Sequence, residues 1–231
     1  MIYSKELIHD IIGWDINNWF QAIPFWESNT GQDLSKCYAL EIGAENGGLS
    51  LWLALQGCRV ICSNIGGVPH ETRVIHKKYN VSSLIEYQDI NALSIQYADT
   101  FDLIAFKSVL GGIGRHNKYE LQKQSIQQMY KALKPGGELF FEENLVSTKL
   151  HMFFRKYCSA AGKDHWRYIT LAELSDMMLL FSQCTYKTTG FISAFFINER
   201  MRNILSKIDQ LICSHINKEA WNYIVFGIAK K

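Results

Sequence analysis

The feature that most constrains this chain is a regular alternation of short apolar segments with helical patterns. Buried strands are predicted at residues 38–42, 59–63, 84–87, 101–106 and 138–142, because each is a short, mostly apolar run. Amphipathic helices are predicted between them at about 47–55, 69–79 and 118–133. This alternation predicts βαβ units, and therefore an α/β fold with a doubly wound, mostly parallel sheet.

The rest of the chain continues the pattern. Helices are predicted near 148–161, 170–181 and 199–217, and strands at 184–196 and 221–229, which brings the sheet to seven strands with helices on both faces. Three prolines leave little room for linkers. Residues 1–231 therefore read as a single domain, in which the aromatic residues 1–35 form a helical extension or lid.

Composition excludes several classes of protein. Hydrophobic residues make up 48% and charged residues 20%, as in soluble globular chains, and no apolar run approaches a membrane span. No signal peptide is visible, and the six cysteines form no CxxC pair, which favours reduced thiols in a cytoplasmic protein. The net charge of +2 does not indicate nucleic acid. Lysine and arginine are in excess after residue 145, which suits either an anionic partner or an ordinary solvated surface.

The loop after the first strand is the strongest candidate for chemistry, because doubly wound sheets bind ligands at the carboxyl ends of their strands. It reads Glu41-Ile42-Gly43-Ala44-Glu45-Asn46-Gly47-Gly48. Glycines let a ligand approach the backbone, and the helix that follows offers free N–H groups. A dinucleotide fingerprint needs G-x-G-x-x-G, and here Glu45 occupies the place of the second glycine. NAD and FAD are therefore disfavoured.

This loop resembles the first motif of class I S-adenosylmethionine (SAM)-dependent methyltransferases, E/D-x-G-x-G-x-G, with Glu45 in place of the middle glycine. Further resemblances follow in the family's order. Asn64 stands where an acid usually takes the ribose hydroxyls, and Asp89-Ile90 matches the pair at the adenine. Residues 101–110 resemble the fourth strand with its following motif, and residues 134–137 resemble the L-x-P-G-G turn before the fifth strand. The resemblance spans residues 37–145.

The resemblance implies SAM as the cofactor and a division of labour along the chain. Residues 36–145 form the cofactor-binding half, and residues 146–231 form the substrate side. Lys107 either lines the cofactor loop or is solvated. The cofactor-binding residues implied in this way are Glu41, Gly43, Ala44, Glu45, Asn46, Gly47, Asn64, Asp89, Ile90 and Lys107.

Methyl transfer to oxygen needs a base as well as alignment of the reacting atoms. Two catalytic candidates follow strands four and five. His116 comes after a glycine-rich stretch and can take a proton near neutral pH, but a surface histidine at the start of a helix is the favoured interpretation of this residue. Glu142 and Glu143 point to opposite sides of a strand, so only one can face the site. Glu143 is favoured, because the chain leaves the sheet there; a rim salt bridge is the alternative.

A polar group beyond the fifth strand is the candidate acceptor site. His151 and Arg155 are spaced i, i+4 on one helix and, with Arg167, can bind a phosphate or carboxylate. Asn144 is placed beside them. The order of these residues resembles methyltransferases found among bacterial surface-polysaccharide genes, which implies a small-molecule acceptor, sugar or phosphorylated.

The sequence thus predicts O-methylation of a sugar or other small hydroxyl compound. An RNA or protein methyltransferase and an inactive methyltransferase-fold binding module remain alternatives. DNA is disfavoured, because neither an N/D-P-P-Y/F segment nor a Pro-Cys nucleophile is present. No convincing carboxylate trio predicts a metal. The acceptor and the oligomeric state stay open.

Overall fold

The computed structural model describes residues 3–158, 165–195, 201–202, 204–209 and 221–231 of the chain. The described helices are α1 (Lys5–Ile12), α2 (Ile16–Trp19), α3 (Ala22–Asn29), α4 (Gly48–Leu55), α5 (His70–Lys78), α6 (Leu110–Ile113), α7 (Tyr119–Ala132), α8 (Lys149–Cys158) and α9 (Leu171–Met178). The strands are β1 (Tyr38–Ile42), β2 (Arg59–Ser63), β3 (Ile85–Gln88), β4 (Phe101–Lys107), β5 (Leu133–Asn144), β6 (Gln183–Thr189) and β7 (Ile224–Lys230).

All seven strands form one sheet in the order β3-β2-β1-β4-β5-β7-β6. Strands β1 to β5 pair in parallel, and β7 runs antiparallel to both β5 and β6. The predicted α/β class and mostly parallel sheet are therefore confirmed. The strand order reverses between β1 and β4, which leaves a crevice for ligands at their carboxyl ends.

Helices cover both faces of the sheet, because alternate strand residues are apolar on both sides. On one face, Ala39, Leu103 and Phe140 pack against the N-terminal helices and α4. On the other face, Leu40 and Ile104 pack against α7 and α9. The aromatic N-terminus belongs largely to the first core.

Trp26 shows how firmly this N-terminal segment is held. Its ring stacks on Phe140 with centroids 5.4 Å apart, and its indole N–H donates to the Gly227 carbonyl at 2.9 Å. The N-terminal helices are therefore fixed against the sheet, and the chain that follows α1 has a defined position above the strand ends.

Two element boundaries differ from the sequence prediction. Strand β5 begins at Leu133, which pairs with Phe101 before a register shift, so the predicted turn at 134–137 is an irregularity inside a longer strand. Strand β6 ends at Thr189 rather than at 196, because Gly190 has φ +78° and Ser193–Phe195 forms a 3-10 turn. The predicted helix at 199–217 lies partly outside the described residues. No described helix is long and apolar enough to cross a membrane.

Candidate functional site

A cavity of about 460 Å³ lies at the carboxyl ends of β1, β4 and β5. Residues 10–15, which close α1 and follow it, form one wall, and the loop after β1 forms another. The ends of β4 and β5 contribute Lys107, Ser108 and Asn144. Four residues distant in sequence complete the lining: Trp166, Tyr168, Arg202 and Tyr223.

The loop after β1 is anchored from below by Glu41. This buried carboxylate accepts a hydrogen bond from the Ser50 backbone N–H at 2.8 Å and another from the Ser50 hydroxyl. It thus ties the end of β1 to the first turn of α4. Burial raises the pKa of Glu41 to about 7, against the hydrogen bonds from Ser50.

Three residues of this loop have left-handed backbone. Gly43 and Gly47 have φ +67° and +69°, and Glu45, in place of a glycine, has φ +43°. A Cβ on Gly43 would lie 2.6 Å from Val109, so only glycine fits there. The loop therefore keeps a glycine-like path at Glu45, and Gly43, Ala44, Glu45 and Asn46 all line the cavity.

Lys107 places a positive charge in the cavity, whose lining also includes residues 10–15 and the loop after β1. Its ammonium donates to the Ile12 carbonyl at 2.6 Å and lies 5.6 and 5.1 Å from the ring centres of Trp14 and Trp19. Burial lowers the pKa of Lys107, while surrounding carboxylates, Glu142 foremost, oppose that shift. Of the two placements considered for Lys107, beside the loop or in solvent, the structure has it lining the cavity beside the loop.

Glu142 and Glu143, at the end of β5, face opposite sides of the sheet as predicted. Glu143, which the sequence favoured as the acid facing the site, lies on the side away from Lys107. Glu143 is on the α6 side, where it accepts the N–H of Leu110 at 2.6 Å and of Asn144 at 2.8 Å. Burial raises its pKa to about 7. Both carboxylate oxygens accept hydrogen bonds from backbone N–H groups, and Glu143 does not line the cavity. The geometry therefore does not support Glu143 as a base.

Glu142 lies on the same sheet face as Lys107, its register partner across β4 and β5. It is fully buried, and neither carboxylate oxygen has a hydrogen-bond partner among the described residues. Burial raises its pKa well above the ordinary value, and Lys107 only partly offsets this. Glu142 therefore lies beneath the cavity as a poorly compensated acid.

His116 is also placed away from the cavity. Residues 110–113 form α6 and carry the chain off the end of β4, so His116 lies on the surface with φ +59°. Its ring centre is 5.0 Å from that of His165. The prediction of His116 as a base therefore also loses geometric support.

Asn64, Asp89 and Ile90 come together at the neighbouring strand ends, because Ser63 pairs with Gln88. Asp89 accepts the N–H of Gly66 at 2.9 Å, and the Asn64 amide donates to the Gly67 carbonyl at 3.3 Å. Neither side chain lines the cavity, nor do Ile90 and Gly47. Asn64, Asp89 and Ile90 follow the carboxyl ends of β2 and β3, at the same edge of the sheet as the cavity.

The predicted anion site is not assembled. His151 is buried and bonded to Thr148 at 2.7 Å and to the Phe191 carbonyl at 2.7 Å. Arg167 pairs with Glu173 and donates to Gln122 at 2.8 Å. Both side chains are thus engaged in the fold, and the Arg155 side chain lies outside what the structure describes. Of the three members of this group whose side chains are described, Asn144 alone lines the cavity, and its amide donates to Ser108 at 2.9 Å.

Sequence reasoning missed the polar pair opposite the loop. Tyr223 donates its hydroxyl hydrogen to the carboxylate of Asp15, and the Asn18 amide donates to the same carboxylate at 3.1 Å. Burial beside Asp15 raises the pKa of Tyr223 well above its ordinary value. Asp15 is distant from every recognised motif, and no sequence signal joined it to Tyr223.

Metal ligation has no geometric support in the part of the chain that the structure describes. There, no group of three or more His, Cys, Asp or Glu side chains is arranged to hold an ion.

Comparisons with known proteins agree with this geometry. Residues 40–141 match the family model of a methyltransferase domain. A search of curated proteins finds no match. The fold resembles Haemonchus contortus phosphoethanolamine N-methyltransferase 2, solved with phosphomonomethylethanolamine and S-adenosylhomocysteine, at TM-score 0.62 and 14% identity. That match covers 92% of this chain but only 52% of the other, so this chain spans about half its length.

Two further structures show the breadth of the fold. A SAM-dependent methyltransferase from Thermotoga maritima matches at TM-score 0.60 and 15% identity, covering 97% of this chain and 92% of that one. The [4+2]-cyclase SpnF matches at TM-score 0.58 and 13% identity, covering 94% and 81%. At such identities these likenesses show the fold alone.

The sheet order, the glycine-rich loop after β1 and the match of residues 40–141 to a methyltransferase domain together support the class I SAM-dependent methyltransferases as the class of this chain. The matched segment, residues 40–141, runs from Leu40 in β1 to Phe141 in β5.

Proposed function

We propose that the cavity holds the methionine part of SAM beside a small-molecule acceptor, and that the adenosine part lies towards Asn64, Asp89 and Ile90. The observation that carries this is the cavity at the carboxyl ends of β1, β4 and β5, walled by the loop after β1 on one side and by polar and aromatic side chains on the other. Its volume falls within the roughly 300–1,000 Å³ of small-molecule sites. Lys107 supplies the charge that an amino-acid carboxylate needs.

The acceptor is a hydroxyl compound, with sugars as the first choice. Trp14, Trp166 and Tyr168 offer ring faces, while Asn144 and Ser108 offer polar groups. The Trp166 indole N–H is buried and has no partner among the described residues, so it can donate to the acceptor. Flat apolar faces with a few polar groups suit a polar ring compound. The free, buried thiols of Cys37, Cys58 and Cys62 support a reducing, cytoplasmic setting.

Bound SAM supplies an electrophilic methyl group, and the residues of this chain position the acceptor and accept its proton. Asp15 is the proposed base. It lines the cavity, and the bonds from Tyr223 and Asn18 fix its carboxylate in one orientation. Asp15 would take the proton of the acceptor hydroxyl while the methyl group moves from the sulfonium sulfur of SAM to the acceptor oxygen, which leaves SAH as the product.

The cofactor part of this proposal is tested by calorimetry. We expect the protein to bind SAM and S-adenosylhomocysteine (SAH) but not NAD. Lys107→Met should weaken both by roughly 10- to 100-fold, because a charge-assisted hydrogen bond is worth about 1.5–3 kcal/mol. Lys131→Met, at an exposed position of α7, is the matched control and should bind as wild type. Absence of SAM and SAH binding in the wild type would refute the proposal.

The acceptor part is tested with Asp15→Asn, since Asn tolerates the left-handed backbone of Asp15 (φ +45°). SAH release is measured with a panel of sugar nucleotides and polyols. On any active acceptor, kcat should fall by about 100-fold or more while SAM affinity stays unchanged. Asp33→Asn, an exposed carboxylate, is the control. An unchanged kcat in Asp15→Asn would remove Asp15 as the base.

An amine acceptor is the second candidate, because the carboxylates of Asp10, Asp15 and Glu45 line the same cavity as the aromatic rings. Such a lining attracts a cation. Adding small primary amines to the panel separates the two readings. With an amine, Asp15→Asn should raise KM more than it lowers kcat, and the rate should rise with pH as the amine loses its proton. Cofactor binding without turnover on any acceptor would instead favour a binding module.

A further inference from the structure

Helix α5 holds the loop after β1 through two buried side chains. The Thr72 hydroxyl donates to the Glu45 carbonyl at 2.7 Å, and the His76 Nε2 bonds the Gly47 carbonyl at 2.9 Å. Thr72 and His76 are spaced i, i+4 on one face of the helix and are 1% and 0% exposed. Neither lines the cavity, so any effect on a ligand must pass through the loop.

The hydrogen bonds fix the state of His76. A carbonyl only accepts, so Nε2 carries the proton, and Nδ1 accepts from the Tyr87 hydroxyl at 2.9 Å. The two rings stack with centroids 5.7 Å apart. Burial lowers the pKa of His76, which favours this neutral form. The imidazole is therefore locked between β3 and the loop.

The two carbonyls belong to Glu45 and Gly47, which both have positive φ angles. Glu45 and Gly47 both have left-handed backbone, which is unfavourable for glutamate and permitted for glycine. A Cβ on Gly47 would lie 2.3 Å from the Thr72 methyl group and 2.7 Å from His76 Nε2. The side chains of α5 thus pack directly against this backbone and leave no space for a side chain at Gly47.

We propose that Thr72 and His76 are positioning residues for the cofactor, holding the loop in its glycine-like conformation although Glu45 replaces the middle glycine. This inference rests on the proposed function of the cavity. By fixing the carbonyls of Glu45 and Gly47 on the α5 side, the two side chains leave the opposite edge of the loop facing the ligand. They set cofactor affinity without touching the reacting atoms.

The test compares His76→Leu and Thr72→Val with the wild type. His76→Leu should raise the Kd of SAM and SAH about tenfold, as expected for loss of one buried hydrogen bond, and Thr72→Val should raise it several-fold. At saturating SAM, kcat should stay within about twofold of wild type. His76→Gln, which keeps a donor, should recover most of the affinity. His70→Ala, at the exposed first residue of α5, should bind as wild type.

Hydrogen exchange of the ligand-free protein gives a second readout. Amides of residues 43–48 should exchange faster in His76→Leu, while those of β4 and β5 stay protected. If His76→Leu fails to fold, the smaller Thr72→Val change carries the test. Wild-type affinity in both variants would overturn this inference alone. If the wild type binds neither SAM nor SAH, the proposed function fails and the inference fails with it.

Discussion

Gly48→Ala is expected to abolish measurable SAM binding, because the new methyl group would lie 1.9 Å from the Ile11 carbonyl oxygen and 2.6 Å from its carbon. Both are backbone atoms, so no rotamer change can relieve the overlap. Either α1 or the start of α4 must move, and the cavity lies between them. We expect a loss of about 2–3 kcal/mol in the free energy of unfolding, measured by denaturant titration alongside calorimetry.

Gly112→Ala is the matched control for this substitution. It also adds one methyl group to a helical glycine, but the nearest atoms, in Trp166, lie at 3.8 and 3.9 Å. The variant should bind SAM as wild type and gain up to about 0.5–1 kcal/mol in stability from the better helix former. Wild-type SAM affinity in Gly48→Ala would show that α1 does not pack against the loop as described.

The parts of the site that were predictable are those encoded locally. Glu41, Gly43 and Glu45 follow a strand within one motif, and Lys107 ends the next parallel neighbour of that strand, so strand order alone brings them together. Asp15 and Tyr223 are different, because they are 208 positions apart and meet only through tertiary packing. The sequence shows that the N-terminal segment is rich in aromatic residues, but it does not show which of its residues contact the sheet.

The side of the sheet on which each of Glu142 and Glu143 lies could not be predicted, for a related reason. Strand β5 is buried on both faces, so hydrophobic periodicity does not distinguish its two sides. Alternation correctly separates the acids, but only the packing of Phe140 against the N-terminal helices assigns Glu142 to the side of Lys107. The position of His116 was unpredictable for a different reason: the glycine-rich stretch before it forms a short helix rather than an open loop.

Glu142→Gln is expected to stabilise the protein at high pH. Burial raises the pKa of Glu142 well above 4.5 in the folded protein, so the folded state binds a proton that the unfolded state has lost. Stability therefore falls as pH rises above about 4.5, and glutamine removes this loss. We therefore expect Glu142→Gln to be more stable than the wild type at pH 8, with a gain that increases from pH 5 to pH 8.

At pH 5 the gain should be under about 1 kcal/mol, because this pH is only half a unit above the unfolded-state pKa of 4.5 and the linked loss of stability is still small. Urea titrations of both proteins at pH 5 and pH 8 measure the difference. Some pH dependence should remain in Glu142→Gln, since Glu41 and Glu143 have pKa values raised to about 7 and act in the same direction up to that pH. Glu86→Gln, at an exposed position of β3, should leave the wild-type profile unchanged. If Glu142→Gln is instead less stable at pH 8, Glu142 is ionised there and holds the charge of Lys107, and the raised pKa would be wrong.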